Sequence, residues 1–486
     1  MSPFSVACEV ETGNIVIGLV WMAAAVAVLL WLFGQKVTEV HVVQRQPFHF
    51  GQELRRLRTA SNLTLTDLAR RVHYSKGQLS KVERGIKAPS RELARLCDAA
   101  LDAGGALVRL VPGAPAETTE SREPPDGTGE EVWLMQLSAD GDSWFQPVGR
   151  RQVLAVGAVS ITGVSIGGIQ ALPSAVAASG AESASTLAAS RTLFDQFRQF
   201  GQATNPAIVL PALIAHTHTL REVAAASTDV RIRQRLFRLG SRYAEYVGWL
   251  VQETGNDQGA LWWTRRAVEL AEAGGDRHLA AYGLVRRALI TLYREDATQT
   301  VDLARRAQAD AAVPSRIRGL AAQREAQGHA IAGDYDACMR ALDRSRVLLA
   351  HRSPAPDGPV IGTTNLSDPV TMITGWCLYD LGRPHEAAEL LDRELGRVPA
   401  QAVRTRARFG TRRALAHAVA GEVDHACDLA AELLDSAVAI GSATIAVDMR
   451  ALARVLGRHQ RNPKVRALSP ELGTALRILP SSASSS

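Results

Sequence analysis

Apolar residues along this chain recur mainly at three- and four-residue steps, the period of helices that each bury one stripe. The pattern is sharpest over residues 63–85, LTLTDLARRVHYSKGQLSKVERG. Leu68, Ala69 and Val72 share one stripe, Leu79 and Val82 another, so two short helices are predicted to face each other across a three-residue turn. Thr64 with Asp67, and Ser75 with Gln78, each set a hydroxyl three residues ahead of a side chain able to reach back, the pattern of a capping box. Phe50, Leu54 and Leu57 predict a preceding helix. Pro89 and Ser90 open a following one that carries Leu93, Ala94, Leu96 and Leu101, and Gly104 and Gly105 stop it.

Beyond residue 185 the helical period continues almost without a break. A turn recurs at Gly255-Asn256-Asp257, Glu295-Asp296, Gly333-Asp334, Gly382-Arg383 and Gly421-Glu422. Its interval is 38 to 40 residues except for one of 49, which contains a Pro, Gly and Thr-rich insertion over 353–369. Small residues flank each turn where two helices must touch: Gly248, Ala260 and Ala267; Ala288 and Ala307; Ala326, Cys338 and Ser345; Gly375 and Ala387; Ala414 and Ala426. A stack of helix pairs with a concave face suited to an extended peptide or a partner helix is the expectation.

Two stretches depart from amphipathicity. Residues 15–33, IVIGLVWMAAAVAVLLWLF, hold no charge over nineteen positions, enough at ~1.5 Å per residue to span ~29 Å of bilayer. Trp21 and Trp31 lie near its ends, acids precede it and Lys36 and Arg45 follow, which orients what comes after toward the cytoplasm. Two readings stand: a transmembrane anchor, or a start placed upstream of the true one. The second stretch follows Arg150-Arg151 and reads VLAVGAVSITGVSIGG, with a signal-like cleavage pattern at ALPSAVAAS. A buried linker helix and a second membrane segment both fit it.

Charge divides the molecule. Residues 48–112 hold twelve basic residues against six acidic ones, a net +6, whereas residues 113–147 hold eight acids and one arginine, a net −7. The latter run is rich in Pro and Gly and reads as a disordered acidic linker. Five cysteines stand far apart, which suits reduced thiols, three of them at helix-packing positions. His216 and His218 are two apart on a helix and point to different faces, so no metal is expected. No GxxxxGK[ST], GxSxG or HExxH occurs, and neither a cofactor nor an enzyme is expected. Arg404, Arg406, Arg408, Arg412 and Arg413 form a basic run, read either as a site for an acidic ligand or as one solvated helix face.

With Leu79 and Val82 turned inward, the helical step turns Gly77, Ser80, Lys81 and Arg84 outward, with Lys76 and Gln78 on the flanks and Ser75 at the cap. These are side chains able to hydrogen-bond base edges and phosphates. Residues 50–110 resemble the Cro/repressor-type (XRE) helix-turn-helix domain in LRRLR over 54–58, in Leu68-Ala69 and in ERG over 83–85. The resemblance implies a structural ion pair between Arg58 and Glu83, and a DNA-binding set of Ser75, Lys76, Gly77, Gln78, Ser80, Lys81 and Arg84. Leu65 departs from the Gln often found there, and His73 from the Gly usual in the turn, at which His tolerates positive φ. The C-terminal part resembles tetratricopeptide repeats at Gly375, Ala387 and Pro399 and at GDYDAC over 333–338, although Glu394 and Leu433 occupy positions where a small residue is expected.

The expected architecture is all-α: a helix-turn-helix bundle and an α-solenoid of helix pairs, with an N-terminal transmembrane helix. Its parts are an N-terminal segment (1–47) with that helix at 15–33, the DNA-binding domain (48–112, motif 65–84), the acidic linker (113–147), the apolar segment (148–184), the repeats (185–480) and a tail (481–486). The implied function is a sequence-specific transcriptional regulator. Double-stranded DNA, a second copy of the chain and a peptide or protein effector at the repeats are its expected partners. It is expected in the cytoplasm, tethered to the membrane if the anchor is real. The competing reading is a membrane-tethered repeat scaffold with a vestigial DNA-binding module.

Overall fold

Capping hydroxyls at Thr64, Ser75 and Ser90 start three helices of the N-terminal unit. The computed structural model describes residues 46–111, 132–137, 143–148, 180–351 and 359–480. It begins with α1 (Gln46–Ala60), α2 (Leu65–Arg71), α3 (Lys76–Glu83), α4 (Arg91–Ala100) and α5 (Ala106–Arg109). At the start of α2 the Asp67 N–H donates to Thr64 Oγ1 at 3.1 Å while the Asp67 carboxylate accepts from the Thr64 N–H at 3.2 Å, a complete capping box. Ser75 supplies only the forward half for α3, accepting from the Gln78 N–H at 3.2 Å. Between them His73 takes φ 53°, the left-handed conformation the turn requires. The buried Asp98 carboxylate accepts from the N–H groups of Gly105, Leu107 and Val108 and so pins α5 to α4.

Two expectations need correction or fall elsewhere. Residues 132–137 and 143–148, expected to be disordered linker or apolar segment in an all-α protein, form an antiparallel hairpin, β1 (Val132–Leu137) and β2 (Ser143–Val148). The strings VWLMQL and SWFQPV are rich in the aromatic and apolar residues of strands, a signal hidden by the Pro and acid content just upstream. Residues 15–33 and most of 148–184 lie outside the described residues. Among the described residues no helix is long and apolar enough to cross a membrane.

The C-terminal part comprises α6 (Gly180–Ala203), α7 (Pro206–Ala226), α8 (Val230–Glu253), α9 (Asp257–Ala273), α10 (Leu279–Tyr293), α11 (Ala297–Gln308) and α12 (Ser315–Ala332). It continues with α13 (Tyr335–Ala350), α14 (Pro369–Asp380), α15 (Pro384–Leu395), α16 (Val403–Val419), α17 (Val423–Ile440), α18 (Ala443–Leu456) and α19 (Pro463–Ile478). Helices pack on their sequence neighbours, and α10 on α12, α12 on α14, α16 on α18 and α17 on α19, so helix hairpins stack. Ala260, Ala267, Ala288, Ala307, Ala326, Cys338, Ser345, Ala387, Ala414 and Ala426 are each at most 1% exposed, at the crossings their small size permits. The stack curls until its ends meet: α6 lies on α16, and α8 on α18.

All five recurring turns enter the left-handed conformation, through Gly255, Glu295, Gly333, Gly382 and Gly421. Four of them share a second role, because the N-terminal unit rests on them. Arg91 Nη1 donates to the Glu295 carbonyl at 3.0 Å and to its carboxylate at 2.8 Å, and Arg95 faces Asp380 at 3.4 Å. Gly105 abuts Gly333, and the His73 ring lies against Gly421. Glu92 pairs with Arg458 at 2.6 Å, whose guanidinium covers the Tyr74 ring. Phe50, Leu54, Leu68 and Leu79 belong to one buried cluster with Leu415, Val419, Leu452 and Leu468.

Gly382 has φ +77°, and a Cβ there would collide with the Arg95 carbonyl. Gly382→Val is therefore expected to lower the midpoint of thermal unfolding, with about 1–2 kcal/mol from the left-handed backbone alone. Gly396→Ala, where a Cβ makes only ordinary contacts 3.6 Å away, serves as the control and should leave the midpoint unchanged. Equal midpoints for the two variants would remove the close approach from the account.

Candidate nucleic-acid interface and the repeat cavity

The second helix of the motif is held by its apolar side. Leu79 and Val82 are 0% and 1% exposed, while α1 crosses so near the end of α3 that a Cβ on Gly51 would sit 2.5 Å from the Val82 and Glu83 carbonyls. A fork of hydrogen bonds locks that end. Arg58 Nε donates to Glu83 Oε1 at 2.6 Å and Nη2 to Oε2 at 3.2 Å, and the remaining Arg58 nitrogen donates to the Leu63 carbonyl at 2.7 Å. The hydrogen bond to Glu83 keeps the guanidinium pKa above its ordinary value against the opposing effect of burial. The pair is half-shielded and charge-assisted, a geometry that holds α3 in register with α1.

The opposite face is open. Lys76, Gly77, Gln78, Lys81 and Arg84 are exposed and Ser80 is half-buried, whereas the Ser75 hydroxyl is committed to the cap. A Cβ added to Gly77 would meet nothing within 4 Å, so backbone can come close to a ligand there. Arg84 folds back to donate to the Ser80 carbonyl at 3.2 Å, and among the described residues none of Lys76, Gln78, Lys81 or Arg84 bonds to the repeats. Arg71 at the end of α2 and Lys87 after α3 are exposed as well and widen the cationic rim. These two lie outside the set that the helix-turn-helix resemblance implies. Their closeness to Lys76 and Lys81 in the chain was the signal. Docking on the repeats uses α4, Gly105 before α5 and the turn at His73, so it leaves the α3 face clear. Such a face can enter a major groove, with planar amides and guanidinia for base edges and ammonium groups for phosphates.

A second feature was not legible in the chain. The curled array partly encloses a cavity of about 710 Å³ lined by α6, α8, α10, α12, α14, α16 and residues 359–366. The basic run on α16 forms part of its wall and is no solvated face. Arg404 is 2% exposed, Arg412 is buried, Arg408 is partly buried, and only Arg406 faces water. Spaced at four residues, Arg404, Arg408 and Arg412 share one helix side, and that side turns inward. Arg404 donates to the carbonyls of Gly201 and Thr204 at 2.8 and 2.7 Å and pairs with the equally buried Glu253 at 3.2 Å, closing α16 onto α6 and α8. Arg412 pairs with Asp448 at 2.9 Å and stacks on Trp376.

The two histidines read as non-ligands sit in packed surroundings: His216 Nε2 lies 3.0 Å from Ser190 Oγ, and His218 edges the Trp263 ring. Asp392, His417 and His425 bring possible ligand atoms within 4.8 Å of one another, but Asp392 is already paired with Arg413 at 2.5 Å. A guanidinium so close opposes a cation there.

Residues 49–111 match the family model of a helix-turn-helix domain. No curated protein matches this chain.

Proposed function

From the helix-turn-helix domain at residues 49–111, we propose that this chain is a sequence-specific DNA-binding regulator of the Cro/repressor type whose tetratricopeptide-like repeats sense an effector. The observation that carries the reading is the outward face of α3, where Lys76, Gln78, Lys81 and Arg84 are free for DNA while Leu79 and Val82 anchor the helix. One small reader buries limited DNA surface, so two copies on paired half-sites are part of the proposal.

The contact between reader and repeats supplies the physical link. Arg91, Arg95, Gly105 and His73 rest on successive inter-helix turns, so a change in the curl of the array alters the support beneath the reader. An effector that prefers one curl thereby biases reader placement and DNA affinity. The test is a footprint of the full chain on genomic fragments, including the region upstream of its own gene, at two salt concentrations with excess competitor. A discrete pair of half-sites whose occupancy falls steeply with salt is the expected result. Protection no stronger than on competitor DNA would overturn the proposal.

A further inference from the structure

Among the described residues, the cavity inside the repeat array is lined by more cationic than anionic side chains. Seven arginines and two acids line it. Some of the arginines are committed to acids: Arg404 to Glu253, Arg242 to Asp276 at 3.0 Å, and Arg286 to Glu245 at 3.7 Å. Others are not. Arg198 spends its guanidinium on the Val360 and Gly362 carbonyls and the Thr364 hydroxyl. Arg408 donates to Tyr293 Oη and lies over the rings of Tyr293 and Trp376. Arg324 makes no hydrogen bond or ion pair among the described residues. The carboxylates of Glu253 and Asp448, whose fields reach Arg408, are held by Arg404 and Arg412.

Arg324, half-buried in the wall, therefore stands beside a second cation with no carboxylate of its own among the described residues. Burial first, and then the Arg408 charge, bring its pKa down to about 10, so it remains charged at neutral pH. A guanidinium in that position lacks a partner that an anion would supply. The rest of the wall is not built for a bare inorganic ion. Phe194, Tyr246, Trp249, Tyr282, Trp376 and Phe409 contribute rings, and about 710 Å³ is the size of sites for drug-sized molecules.

The way the cavity is closed limits length. Residues 359–366 run along its edge, held by Arg198 and by Arg316, which donates to the Ile361 and Thr363 carbonyls at 2.8 and 3.2 Å. With α6 seated on α16 as well, the concave face is a partly closed chamber, narrower than the open groove that suits an extended peptide.

We propose that this chamber binds an amphipathic organic anion, its acid group seated on Arg324 beside Arg408 and its aromatic or apolar body against Trp376, Trp249 and Phe409. That this ligand is the effector rests on the regulator reading above. Its binding does not.

The experiment uses two fluorescent probes on the full chain: 8-anilinonaphthalene-1-sulfonate, and N-phenyl-1-naphthylamine, which has the same rings without the sulfonate. The wild type is expected to take one sulfonate probe per chain, at least about tenfold more tightly than the neutral one. Arg324→Met should remove that preference and leave neutral-probe binding unchanged, which also reports that the chamber is intact. Arg324→Gln, which keeps a polar group in the wall, is expected to do the same, and covers the case in which the methionine variant does not fold. Displacement by 1-naphthoate but not by an extended hexapeptide completes the expected pattern.

Equal affinity for the two probes in the wild type, an undiminished sulfonate preference in a folded Arg324 variant, or displacement by the hexapeptide alone would each overturn the proposal. Because no DNA is present, a failed footprint leaves this result standing, and the absence of probe binding leaves the footprint standing.

Discussion

Replacing Lys81 and Arg84 together by alanine is expected to weaken binding to the specific site by about 2–4 kcal/mol, roughly thirty-fold to a thousandfold. Both side chains stand on the exposed face of α3, and among the described residues neither bonds to the repeats. Folding should not notice the change: a surface substitution of this kind stays within about 0.5 kcal/mol, so the thermal midpoint serves as the control. Salt dependence separates the roles of the two residues. A side chain on phosphate lowers the salt slope by about one when it is lost and weakens all sequences alike. A side chain on a base edge leaves the slope and relaxes preference at one position. Measuring each single variant at two salt concentrations assigns the roles, and an unchanged affinity in a folded double variant would remove α3 as the reading helix.

Arg404→Met should cost about 3–5 kcal/mol of folding stability, because it leaves the Glu253 carboxylate buried with its main counter-charge gone. Both side chains are 2% exposed, and the Arg404 contacts tie α16 to the carbonyls of Gly201 and Thr204. Burial by itself raises the Glu253 pKa. Arg404, Arg408 and the hydroxyls of Ser442 and Thr444 outweigh burial and hold it below the ordinary 4.5. A carboxyl with a depressed folded-state pKa contributes stability above its unfolded value and loses that contribution as pH falls through the folded one. The wild type should therefore lose this increment only in acid below about pH 4.5. In the variant burial is no longer opposed by Arg404, so the deficit is largest at neutral pH and narrows as Glu253 takes up a proton. Thermal unfolding of both proteins at neutral and acid pH measures it. A second substitution, Glu253→Gln, should recover most of the loss, and a double variant no more stable than Arg404→Met would assign the effect to packing.

The reader was legible because its signals are local. A capping hydroxyl, an apolar residue every third or fourth position and a turn that accepts positive φ act within one or two helical turns, and Thr64, Leu68, His73 and Leu79 carry them. The Arg58–Glu83 pair spans 25 residues and was placed through the family resemblance. The paired strands 132–137 and 143–148 are not legible from composition, because the acidic, proline-rich run just upstream outweighs their twelve residues.

By itself the sequence determined the α-helical period of both parts, the caps at Thr64 and Ser75, the five turns and the outward cations of α3. Each depends on backbone geometry and on the partition of neighbouring side chains between oil and water. Tertiary structure alone decided that the array closes α6 onto α16, that the inter-helix turns also carry the reader, and that Arg404, Arg408 and Arg412 point inward. A helix periodicity says that one side of α16 differs from the other, but a guanidinium on that side is stable in water or against a carboxylate and carbonyls. Which of these it meets depends on partners 151 to 203 residues away, Glu253, Gly201 and Thr204, brought into reach by the summed small rotations between stacked hairpins.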